Sequence, residues 1–125
     1  MACAALALAL SACGGGSAPD RTTPAERVRA AAGAYLGALA AHDWSRACRL
    51  MTPAARRDMA DAVGAPCPRA LAAGAASAEE LASARREVPG AVVRVRGSAA
   101  SIGPFGAAQQ PLRLERSGGR WLVAG

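Results

Sequence analysis

The chain has no lysine and no asparagine, and its 125 residues include a single tyrosine, a single phenylalanine, a single histidine and two tryptophans. With one histidine, His42, and no C-x-x-C spacing, a zinc site lacks ligands, so neither a metal nor a cofactor is expected. The adjacent His42 and Asp43 form the one acid–base pair, but neighbouring side chains rarely converge on one pocket. Asp43 is, moreover, placed to cap a helix. Aromatics make up 3% of the chain, and much of the 52% hydrophobic content is alanine, which buries little area. The core therefore has to rest on a short set of larger side chains: Leu36, Leu39, Leu50, Leu71, Leu81, Val93, Val95, Leu112, Leu114, Trp121 and Val123. All 15 basic residues are arginine, a bias that matches GC-rich codon usage and suggests a high-GC bacterial genome. Net charge is +6, yet the arginines are scattered and no nucleic-acid-binding motif accompanies them. A solvated basic surface is the expectation, and no nucleic-acid partner. Near a bilayer, such a surface is drawn to anionic headgroups by roughly 1 kcal/mol per charge.

The N-terminal segment carries an address. Ala4 to Leu10 is apolar throughout but far shorter than the ~20 residues of a membrane-spanning helix. It leads into Leu10-Ser11-Ala12-Cys13-Gly14-Gly15-Gly16-Ser17, which resembles the lipobox of bacterial lipoproteins. The resemblance implies a signal peptide over 1–12, lipidation of Cys13 by a diacylglyceryl group, and anchoring at the extracytoplasmic side of the cell membrane. Met1-Ala2-Cys3 carries none of the positive charge of a signal peptide's start, so the translation start is expected upstream. Residues 13–22 form a Gly/Ser/Pro-rich tether, and nine such residues reach about 15–18 Å on average. On this reading Cys3 leaves with the signal peptide. Cys48 and Cys67, nineteen positions apart in an oxidising compartment, are then expected to pair as a disulfide.

The remainder, 23–125, divides into helices followed by strands. Thr23-Pro24-Ala25-Glu26 is a capping box, and Val28, Ala31, Ala32, Tyr35, Leu36 and Leu39 follow on one helical face ending near Ala41-His42. Asp43 caps a short helix through Trp44, Ala47, Cys48 and Met51; Thr52-Pro53 opens another through Met59 to Val63. A short helix is expected over Arg69 to Ala73, and Ser77-Ala78-Glu79-Glu80 is a second capping box. Beyond Pro89-Gly90 the apolar period falls to two. Val93 and Val95 alternate with Arg94 and Arg96, a strand over Ala99 to Ile102 follows, and Leu112 and Leu114 alternate with Arg113 and Glu115. Ser117-Gly118-Gly119 turns into Arg120-Trp121-Leu122-Val123. The expected fold is α+β, with an antiparallel meander whose apolar face is covered by helices and whose other face is wet and bears arginine.

The stretch Tyr35-Leu36-Gly37-Ala38-Leu39-Ala40-Ala41-His42-Asp43-Trp44-Ser45-Arg46-Ala47-Cys48 resembles the helical opening of nuclear transport factor 2-like domains. Leu112-Arg113-Leu114-Glu115-Arg116-Ser117-Gly118-Gly119-Arg120-Trp121-Leu122-Val123 is similar to their closing hairpin. The resemblance implies a cone in which a curved sheet wraps the helices. Enzymatic members, such as SnoaL-like cyclases, place Asp, His or Tyr inside the cone, whereas the strand region here contains only Glu115 as a carboxylate. The reading is thus a non-catalytic binding or accessory domain of the cell envelope. Its rivals are a SnoaL-type lyase or isomerase acting on a small apolar substrate, and a module that pairs with a second copy or another envelope protein. Tyr35, Trp44, Phe105 and Trp121 are the large side chains available to line a cavity for a small apolar ligand, with core packing as the competing role. Gly103-Pro104-Phe105-Gly106 is either a wide turn or a rim closing the mouth of the cone.

Overall fold

The computed structural model describes residues 21–106 and 108–125, and shows five α-helices followed by a four-stranded antiparallel sheet. The signal peptide, Cys3, Cys13 and all of the tether but its last two residues lie outside the described residues.

Helix α1 spans Pro24–Ala40. Its capping box closes in both directions: Thr23 Oγ1 accepts from the Glu26 N–H at 3.2 Å, and Glu26 Oε2 accepts from the Thr23 N–H at 2.8 Å. Val28, Ala32, Tyr35, Leu36, Ala38 and Leu39 are buried, so the helical stripe is the inner face of α1. The chain turns at His42, whose φ of 55° is left-handed, and enters α2 (Trp44–Arg49), where Asp43 Oδ1 accepts from the Arg46 N–H at 3.2 Å. This helix stops short of Met51, contrary to the spacing, because Met51 is engaged elsewhere. It forms a parallel bridge with Val123, with the Thr52 N–H donating to Val123 O and the Val123 N–H to Leu50 O, both at 2.8 Å. Helix α3 (Pro53–Val63) is capped by Thr52 and ends at Gly64, whose φ of 72° suits a glycine C-cap. Helix α4 (Cys67–Gly74) begins two residues before the predicted Arg69, and α5 (Ala78–Glu87) follows the second capping box. A 3₁₀ turn over Val88–Gly90 leads to the sheet.

Strands β1 (Val93–Arg96), β2 (Ala99–Ile102), β3 (Leu112–Ser117) and β4 (Arg120–Val123) pair in the order β1-β2-β3-β4, every neighbour antiparallel. The register places Val95 beside Ala100, Ala100 beside Leu114, and Leu114 beside Val123, so one face is apolar. Helix α1 lies against this face, contacting β1, β2 and β4, and packs on its other flanks against α2 and α5. Ile102, Leu114 and Val28 are the largest fully buried side chains, and Ala32 and Ala47 are also completely enclosed. Alanine thus serves the core as a spacer that lets helices approach closely. Val95 departs from the expected core: it is 36% exposed, on β1, one of the two edge strands. Val93, on the same strand, is half-buried.

Candidate functional site

Beside the core a cavity of about 480 Å³ opens between α5, the segment joining β2 to β3, and the start of β3. Its apolar wall is formed by Leu36 from α1, Leu81 and Ala84 from α5, and Phe105, Pro111 and Leu112. Glu80, Ser83 and Gln110 supply polar atoms. A volume of several hundred Å³ with apolar walls and few polar groups is the usual make-up of a small-molecule site.

The local sequence explains how Phe105 reaches that wall. Gly103 has φ of 102°, and a Cβ there would lie 3.1 Å from Phe105 Cδ2, so a glycine is required for the ring to fold back. The loop is also tied to the helical half, since the Gly106 N–H donates to Glu87 Oε2 at 2.9 Å. The result is a half-buried aromatic ring packed against the core, with the cavity on its other side.

Glu80 is the one titratable side chain of the lining. Its Oε2 accepts from the Ser77 N–H at 2.9 Å while Ser77 Oγ accepts from the Glu80 N–H at 3.2 Å. The Ser77 backbone and side-chain hydrogen bonds hold the Glu80 carboxyl below its ordinary range, so it stays ionised and engaged in capping. A carboxylate so held is a poor proton donor at neutral pH.

The other expected site residues are placed elsewhere. Tyr35 and Trp121 are core side chains, and neither lines the cavity. Burial pushes the Tyr35 hydroxyl above its usual pKa. Trp121 lies on the inner face of the sheet with the Arg116 guanidinium 5.9 Å from its ring centroid, a cation–π contact that covers the rim of the core. Trp44 is half-buried and stacks on His42, with ring centroids 5.1 Å apart and planes inclined by 14°. This stack sits at the α1–α2 turn, and neither ring lines the cavity. Cys48 and Cys67 are joined as a disulfide with Cα atoms 6.2 Å apart, fastening α4 to α2. Among the described residues there is no group of three His, Cys, Asp or Glu side chains able to hold a metal, and no helix long and apolar enough to cross a membrane. The groove-forming role of Leu36, Leu81 and Leu112 carried no signal of its own, because an apolar residue facing a cavity has the same spacing as one facing the core. No family model matches the chain, and no curated protein or solved structure matches it significantly.

Proposed function

We propose that the chain is a lipid-anchored extracytoplasmic domain that binds a small apolar ligand between α5 and the β2–β3 segment, without performing chemistry on it. The observation that carries this reading is the cavity itself: about 480 Å³, walled by Leu36, Leu81, Ala84, Phe105 and Leu112, with its carboxylate committed to a helix cap. Neither His42 nor Tyr35 reaches it, so the acid–base set that an isomerase or lyase needs is not assembled there. The order of elements, helices first and a meander folded against α1, supports a nuclear transport factor 2-like scaffold. The lipobox-like run ending at Cys13 supports the anchor and the location.

Two measurements test this reading. Full-length protein titrated with the neutral apolar fluorophore N-phenyl-1-naphthylamine is expected to show saturable enhancement. Ala84→Phe, which fills the cavity, and Ala76→Phe at its rim are both expected to abolish it while leaving the thermal melt in place. Enhancement that survives both substitutions refutes the site. In the producing bacterium, Cys13→Ala is expected to release the protein from the membrane fraction, and continued retention refutes the anchor.

A further inference from the structure

The outer face of the sheet gathers arginines from three strands. Side chains alternate along a strand, so Arg94 and Arg96 of β1, Arg113 of β3 and Arg120 of β4 project from the face opposite Ile102 and Leu114. The register sets Arg94, Ser101 and Arg113 in one row and Arg96, Ala99 and Glu115 in the next. Ser101 and Ala99 are short, so β2 forms a shallow trough between Arg94 and Arg96 of β1 and Arg113 and Glu115 of β3, with the Arg113 guanidinium lying along Gly125. Neighbouring strands lie about 4.8 Å apart, which puts Arg94 and Arg113 on the order of 10 Å from each other. All four arginines are exposed, and among the described residues none of their guanidiniums has a hydrogen-bond or ion-pair partner. Glu115 is the single carboxylate of this face. Two apolar residues share it: Val92, which is 60% exposed, and Leu122, which is half-buried.

We propose that this face is a docking surface for an anionic lipid bilayer, on which Arg94, Arg96, Arg113 and Arg120 take headgroup phosphates. Guanidinium forks suit phosphate oxygens and are weakly hydrated for their charge, and Val92 and Leu122 add the small apolar contact of an interfacial surface. Three observations favour a bilayer over other anionic or protein partners. The face is a broad sheet without a ridge or helix to enter a nucleic-acid groove. The four aromatic residues lie in the core, at the α1–α2 turn or at the cavity, so no ring on this face is available to stack a base. A second copy applied about a twofold axis would set these arginines against themselves. The tether supplies proximity, so the proposal rests on the anchored reading for its location only.

The test uses the full chain carrying Cys13→Ser, which is not lipidated, in co-sedimentation with two kinds of vesicle: pure phosphatidylcholine, and equal parts phosphatidylcholine and phosphatidylglycerol. The protein is expected to sediment with the second and not the first, and less as salt rises. Arg94→Gln with Arg96→Gln is expected to weaken partitioning about twenty-fivefold, at about fivefold for each arginine. Arg57→Gln with Arg69→Gln, exposed arginines of α3 and α4, preserves the net-charge change but leaves the face intact, and is expected to leave partitioning unchanged. Equal losses in both pairs, equal sedimentation with neutral vesicles, or no sedimentation with either overturns the proposal. So does tight binding of an oligonucleotide or an acidic protein to this face when vesicles fail to bind. Fluorophore binding to the cavity, measured on the same variants, separates failure of the face from failure of the proposed function.

Discussion

Reduction of the Cys48–Cys67 disulfide is expected to cost this domain a large share of its stability. The two cysteines are 19 positions apart. In the chain-entropy description, a closed loop of that size restrains the unfolded chain by about 3 kcal/mol. A domain of this length has about 5–15 kcal/mol in all. The region that the bridge fastens has little else to hold it. Helix α4 contributes only Ala70 and Leu71 to the buried set, and its N-cap, Pro66, makes no side-chain hydrogen bond to the helix. Its substantial contacts are with α2 and α3. Urea unfolding with and without reductant, followed by the fluorescence of Trp44 and Trp121, measures the effect. The reduced form is expected to unfold about 3 kcal/mol more easily, with a steeper dependence on urea because its unfolded chain exposes more surface. In a melt the same loss corresponds to roughly 10–20 °C. A difference under about 1 kcal/mol with unchanged slope refutes the argument, and means that packing of α4, not the cross-link, holds the region.

Ile102→Ala is expected to cost about 2–5 kcal/mol, since the side chain is 0% exposed at the end of the inner strand β2, whereas Val92→Ala at 60% exposure changes stability by less than about 0.5 kcal/mol. Urea midpoints of the two variants decide this. Thr52→Ala is expected to cost about 1–2 kcal/mol and more than Ser77→Ala, because Thr52 is 5% exposed and its Oγ1 serves the buried Ala55 N–H at 3.1 Å; comparable losses contradict this. Glu80 titrates below an ordinary glutamate because of its bonds to Ser77. A depressed folded pKa favours the fold above the unfolded value and loses that contribution as pH falls through the folded one. Acidification is therefore expected to loosen the start of α5, and Ser77→Ala, which removes the hydroxyl but keeps the backbone N–H bond, to move the Glu80 carboxyl-carbon titration only part of the way up toward the ordinary range in NMR.

The punctuation of the helices was legible because it is local. Thr23 with Glu26, Ser77 with Glu80, Asp43, Thr52 and Gly64 each act within one turn, and each is where its neighbours place it. The switch from a helical to an alternating period likewise marks the sheet from Val93 onward. The end of α2 was not legible, because Met51 is drawn out of the helix by a strand far along the chain. Val95 misled for a similar reason: alternation tells which face a residue takes, but not whether a helix reaches far enough to cover it. Phe105 alone of the four proposed cavity residues lines the groove. Tyr35 and Trp121 carry the same apolar signature as any core residue, so their periodicity cannot separate packing from ligand contact.

The bridge between Met51 and Val123 has a consequence for how the chain folds. It joins the turn between α2 and α3 to the strand formed last in sequence, through a pair of 2.8 Å hydrogen bonds. Closing so long a loop is slow relative to forming the helices, and its contacts return nothing until both ends are ordered. The helical half therefore cannot complete its own hydrogen bonding until β4 arrives. Helices and sheet, although cleanly separated along the chain, must assemble and come apart as one cooperative unit.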